Sequence, residues 1–187
     1  MKQRIVFIMN PISGTTNKAG IPELISSTLN QEQFSYEIAM TEYAGHAAEI
    51  AIRAKDDAVD VVVAIGGDGT VNEVARSIVH SHTALGIIPC GSGNGLARHL
   101  MLPMNLRKAI EVINNCEIHD LDYGIINEHP FFCTCGMGFD AFVSMKFAES
   151  NKRGPITYVE NILREGLKYK PETYEIEDET GLKRYKA

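Results

Sequence analysis

At 187 residues the chain is long enough for one large domain, or for one complete domain and part of another. Its 44% apolar and 22% charged residues, without a low-complexity tract, exclude a disordered or fibrous protein. A net charge of −6 lacks the basic excess of a nucleic-acid binder, so no nucleic-acid partner is expected.

Residues 1–9 start positive and turn apolar, but the apolar run covers only Ile5 to Met9 before Asn10-Pro11. That fits a buried strand better than a secretory signal. No stretch reaches the roughly 18 apolar residues that span a bilayer, so the expectation is a cytoplasmic protein whose membrane contact is peripheral. Residues 21–29 place Ile21, Leu24, Ile25 and Leu29 at helical spacing, with Pro22 tolerated in the first turn. A strand is expected over 36–40 and a helix over 46–55, with Ala47, Ile50, Ala51 and Ala54 on one face. Residues 61–65 are apolar throughout and form the clearest buried strand. A helix over 72–79, a strand over 85–88 and helices over 92–100 and 106–114 follow.

Strands separated by helices imply βαβ crossovers. The fold class is therefore α/β: a three-layer domain over residues 1–120 with a mostly parallel sheet covered on both faces. Beyond it, residues 118–126 and 130–135 read as a hairpin around Asn127-Glu128-His129. Helices over 140–149 and 155–169 come next, and strands over 173–177 and 182–185 close the chain. Residues 121–187 thus read as the start of a β-rich second domain with too few strands to bury a face, a truncated lipid-binding part.

The four cysteines are Cys90, Cys116, Cys133 and Cys135. None lies in a C-x-x-C or Cys/His spacing, which favours reduced, buried thiols over a metal cluster. His80 and His82 pair loosely but lack a cysteine partner.

Three Gly-, Asn- and Ser-rich segments, residues 10–14, 66–70 and 91–95, each follow a strand. In parallel sheets ligands bind outside the carboxyl ends of the strands. In Gly66-Gly67-Asp68-Gly69-Thr70 the glycines let backbone N–H groups approach an anion, and the next helix adds its positive end. Asp68 is repelled by phosphate unless it binds Mg²⁺ or accepts a proton from an attacking hydroxyl. It also suits a plain strand-to-helix turn, and both readings stand. Thr70 and Glu73 have the T-x-x-E spacing of a capping box. Gly91-Ser92-Gly93-Asn94-Gly95 offers a second set of approachable amides. Neither loop is G-x-G-x-x-G or G-x-x-x-x-G-K-[ST], which argues against a dinucleotide dehydrogenase and a P-loop NTPase. Arg98 and His99 then read as a solvated helix face, while Thr41 closes a strand beside His46 at the same crevice.

These segments carry a resemblance. Asn10-Pro11-Ile12-Ser13-Gly14, Thr41 with Gly45-His46-Ala47, and residues 66–74 occur in the order seen in the diacylglycerol kinase and sphingosine kinase family of lipid kinases, in its bacterial branch. Residues 88–98 and Gly136-Met137-Gly138-Phe139-Asp140-Ala141 complete the match. The resemblance implies a two-domain enzyme that transfers the γ-phosphate of ATP, with Mg²⁺, to a lipid hydroxyl of diacylglycerol or sphingoid type. It places Asn10, Ser13, Gly14 and Thr41 along the nucleotide, and Gly66, Gly67, Asp68, Gly69 and Thr70 at phosphate and metal, with Glu73 and Ser92 nearby. Asp68 would carry catalysis, by holding Mg²⁺ or accepting a proton. Asp140 would face the lipid headgroup at the membrane surface. A homodimer is compatible with this picture. Family members continue past residue 187, so the chain is expected to be incomplete and to lack some catalytic groups. The alternatives are an NAD kinase-like enzyme, against which the loop 91–95 argues, and a non-catalytic nucleotide-binding fragment.

Overall fold

A computed structural model describes residues 2–12, 18–149 and 169–187. Ser13, Gly14 and nearly all of the helix expected over 155–169 lie outside the described residues. The chain divides into two compact units, Met1–Cys133 and Thr134–Ala187.

In the first unit four parallel strands lie in the order β2-β1-β3-β4. They are β1 (Gln3–Met9), β2 (Phe34–Met40), β3 (Val61–Gly66) and β4 (Ala84–Pro89). Alternation along the strands sorts their side chains between two cores. Ile5, Phe7, Val63 and Ile65 share one core with Ile21 and Ile25 of α1 (Ile21–Thr28) and Ala109, Ile110 and Ile113 of α5 (Leu106–Asn115). Val6, Ile8, Val62 and Ala64 share the other with Ala47, Ala51 and Ala54 of α2 (His46–Asp56) and Val71, Val74 and Ile78 of α3 (Asp68–Ile78). The all-apolar run of β3 is the signature of a strand buried on both faces. Each fully buried Ile, Val or Phe contributes about 1.5–3 kcal/mol relative to exposure. Helix α5 starts at a true cap, the Asn105 side chain accepting the Lys108 N–H at 3.1 Å.

Several boundaries differ from expectation. Strand β2 begins at Phe34, whose ring is buried in the first core. Helix α3 begins at Asp68, four residues before the expected start. Gly67 alone therefore separates the end of β3 at Gly66 from the helix. The expected helix over 92–100 shrinks to α4 (Gly95–His99), because Asn94 stands in the left-handed region at φ 54°. The hairpin after α5 is short, β5 (Gly124–Ile126) against β6 (His129–Phe131). Its turn is two residues, Asn127 and Glu128, at φ 46° and 67°. Two successive left-handed residues match the twist of a hairpin, so His129 opens the strand instead of joining the turn.

The second unit contains α6 (Phe139–Glu149) and an antiparallel pair, β7 (Thr173–Asp178) and β8 (Gly181–Lys186). Gly181 takes φ 109° at the turn, a value that side-chain-bearing residues rarely adopt. Phe142, Met145, Tyr169 and Tyr174 line a cavity of about 370 Å³. Among the described residues no helix is long and apolar enough to cross a membrane.

Candidate active site

The parallel ladder continues past the strand ends and aligns the loops. Thr41 donates its N–H to the Met9 carbonyl at 2.9 Å, Asn10 to Ile65 at 3.2 Å, and Cys90 to Gly66 at 2.8 Å. The loops after β1, β3 and β4 thus emerge side by side, with Thr41 beyond β1.

The two glycine loops are packed backbone to backbone. A Cβ on Gly91 would collide with the Gly67 Cα, and one on Gly67 would lie 3.1 Å from the Gly91 Cα. Gly66 is equally constrained, since its Cβ would fall 2.5 Å from the Thr70 hydroxyl. Gly69 differs: among the described residues nothing lies within 4 Å of the Cβ it lacks. Three loop glycines are thus required by close packing, whereas at Gly69 no contact among the described residues requires the absence of a side chain.

Asp68 joins the loops. Its Oδ2 accepts the Asn94 N–H at 2.8 Å and its Oδ1 the Gly95 N–H at 2.6 Å. The carboxylate therefore caps α4 from another element, neutralising donors that open that short helix. Asn94, buried, closes its own loop: its Oδ1 accepts the Gly91 N–H at 2.8 Å and its Nδ2 donates to the Gly91 carbonyl at 2.9 Å. Arg98 is more than a solvated residue, because its Nε donates to the Gly93 carbonyl at 2.9 Å.

Among the described residues no side chain caps the first turn of α3, whose N-cap is Gly67. Its first amides form the partially positive end of the helix. The expected Thr70–Glu73 capping box does not form, because both residues already lie inside the helix. Thr70 is buried instead, its hydroxyl 3.5 Å from the Asn10 amide nitrogen that donates to it. The Asn10 Oδ1 accepts the Ile12 N–H at 3.1 Å, which turns the chain away from β1. Glu73 lies one turn further along α3, and Ser92 is exposed at the tip of the second loop.

Asn10, Gly66, Gly67, Asp68, Gly69, Thr70 and the loop 91–95 are thus brought together, with Thr41 one strand away. Asp140 belongs to the second unit, in the first turn of α6 and not at its N-cap, its Oδ2 2.9 Å from where a Gly136 Cβ would stand. Lys18 escaped the sequence reading. It is 5% exposed, and burial holds its ammonium below the ordinary lysine value. Burial pushes the thiol of nearby Cys90 up, with Lys18 opposing the shift. A single lysine ahead of a helix looks like any solvated charge, so nothing in its spacing marked it.

Magnesium fits this arrangement only as an ion shared with phosphate. Among the described residues no group of three or more His, Cys, Asp or Glu could hold a metal. Each Asp68 oxygen spends one acceptor site on an amide and keeps another. One carboxylate plus substrate phosphates is a usual magnesium donor set.

Residues 4–126 match the family described as diacylglycerol kinase catalytic domain. A protein named diacylglycerol kinase from Staphylococcus saprophyticus is 34% identical over 163 residues, covering 84% of this chain and 53% of that protein. One of the same name from Staphylococcus epidermidis is 33% identical over 165 residues, covering 84% and 51%. The chain spans about half the length of these curated relatives. A crystal structure described as a diacylglycerol kinase from Bacillus anthracis superposes with TM-score 0.59 at 24% identity, covering 70% of this chain and 48% of that one. Another Bacillus anthracis structure covers 100% of this chain and 63% of its own, with TM-score 0.67 at 22% identity. The structural likenesses carry the α/β fold; the match over residues 4–126 carries the family, and the chain belongs to the diacylglycerol kinase catalytic-domain family.

Proposed function

We propose that this chain supplies the nucleotide site of an ATP- and Mg²⁺-dependent lipid kinase. In this reading residues 1–120 hold ATP and residues 121–187 belong to the lipid-binding part, where Asp140 meets the headgroup. The observation that carries it is the paired-loop platform, in which Asp68 ties the loop after β4 to the loop after β3 and Gly69 is left uncovered.

Phosphate oxygens accept hydrogen bonds from the first amides of α3 and lie against Gly69. Thr41 and Asn10 lie along the rest of the nucleotide, with Ser13 and Gly14 in the segment that follows Asn10. Asp68, fixed by two amides, presents its remaining acceptor sites to the reacting phosphate. There it serves as the chain's Mg²⁺ ligand or takes the proton of the attacking hydroxyl. The bound metal would neutralise charge on the transferring phosphoryl group. The acceptor is a membrane lipid, reached through peripheral contact.

The test incubates the full-length protein with γ-labelled ATP, Mg²⁺, a lipid extract and NAD. Label is expected in the organic phase. Label in NADP with none in lipid would replace this reading with a nucleotide kinase.

A further inference from the structure

The loop 42–45 carries a feature that the phosphate platform does not use. The Tyr43 ring stacks on the His46 imidazole, with centroids 4.5 Å apart and planes within 4°. Both rings are pinned. The Tyr43 hydroxyl donates to Glu49 Oε2 at 2.9 Å, and His46 Nδ1 accepts the Glu42 N–H at 3.1 Å. Glu49 in turn sits 3.6 Å from Arg53 one helical turn on. Despite these restraints Tyr43 remains 54% exposed. One face of the ring lies on His46 and the ring stays open to solvent.

Its place in the sheet gives this ring a use. Tyr43 lies two residues past Thr41, just beyond the carboxyl end of β2. The phosphate loops follow β3 and β4, in a sheet ordered β2-β1-β3-β4. Adjacent strands stand about 4.8 Å apart, which puts the β2 end about 10 Å from the β3 end and about 14 Å from the β4 end. A nucleoside triphosphate has about ten covalent bonds between base and terminal phosphate, on the order of 12 Å when extended. A nucleotide whose phosphates lie on Gly69 and whose chain runs along the strand ends toward β2 reaches the β2 loop with its base.

We infer that Tyr43, held flat by His46 and Glu49, is the stacking platform for the nucleotide base, and so a determinant of base affinity. The inference rests on the ATP reading above and adds the residue that recognises the aromatic half of the ligand. A ring already fixed by a stack and a hydrogen bond loses little freedom when a base lands on it. Base stacking on an aromatic side chain tolerates different bases, so Tyr43 favours any nucleoside triphosphate over bare polyphosphate.

Calorimetry with ATP and with inorganic tripolyphosphate, on the full-length protein, separates the outcomes. Tyr43→Ala and Tyr43→Leu, the second keeping apolar bulk in case the first fails to fold, are expected to weaken ATP about ten-fold and leave tripolyphosphate unchanged. Tyr43→Phe should stay within about two-fold of wild type, since it keeps the ring and loses only the Glu49 bond. If the Tyr43–His46 stack merely braces the start of α2, the variants lower Tm while ATP affinity stays at the wild-type value, and the inference is wrong. If the wild type binds neither ligand, the ATP reading falls first and takes this one with it.

Discussion

Asp68→Asn in the full-length protein is expected to reduce phosphoryl transfer by at least about a hundred-fold, the lower end of what a positioned acid–base group supplies. In the proposed mechanism the substitution removes the charge that would favour a metal or a proton at the reacting phosphate. It also changes the loop junction. An amide can keep one acceptor oxygen toward Asn94 or Gly95 but must present an NH₂ to the other amide. Losing one charge-assisted bond at an exposed side chain costs about 1–2 kcal/mol, read as a modest fall in Tm. Activity should therefore fall far more than stability does. A labelled-phosphate assay run beside a thermal melt reads both. Turnover within a few-fold of wild type would remove Asp68 from the chemistry. A melt lowered enough to account for the whole activity loss would reduce its role to tying the loops together.

Gly91→Ala is expected to do the reverse, damaging structure first. The new methyl would enter the Gly67 backbone on one side and lie 2.8 Å from the Asn94 Oδ1 on the other. Backbone cannot rotate away as a long side chain can, so the two loops must separate. Overpacking of this kind costs about 1–3 kcal/mol. Separation also breaks the bond between the Gly91 N–H and Asn94 and pulls Asn94 and Gly95 from Asp68. ATP affinity should fall more than about ten-fold, with a lower Tm, read by calorimetry and a thermal melt. Wild-type ATP affinity in this variant would show that the second loop is not part of the phosphate platform.

Much of the fold around the candidate site was legible in the residues because its strands are extreme in composition. Val61–Ile65 carries no polar residue, so a strand buried on both faces was the natural reading, and the loops after it were placed with it. Boundaries at the glycines were not legible. Asp68, Gly69 and Thr70 are weak helix formers, yet they fold as the first turn of α3, where an acidic residue suits the positive end. Thr70 and Glu73 matched a capping box by spacing, but the local motif could not reveal that Gly67 takes the cap position. The mutual packing of Gly67 and Gly91, the bonds from Asp68 to Asn94 and Gly95, and the burial of Lys18 are long-range facts. No periodicity encodes them. The structure separates the roles of the loop glycines: Gly67 and Gly91 make room for each other's backbone, Gly66, Gly93 and Gly95 lie against side chains, and Gly69 meets no atom of the described residues within 4 Å.

That residue gives the sharpest test of the site. Gly69→Ala meets no atom of the described residues within 4 Å, and alanine in place of glycine in a helix is favourable by up to about 1 kcal/mol. The melt should therefore hold or rise slightly. If phosphates lie against this backbone, the methyl occupies their place, and titration calorimetry should show ATP binding weakened by at least about ten-fold in a fully folded variant. A stable Gly69→Ala protein that binds ATP as tightly as the wild type would contradict a phosphate site at these loops.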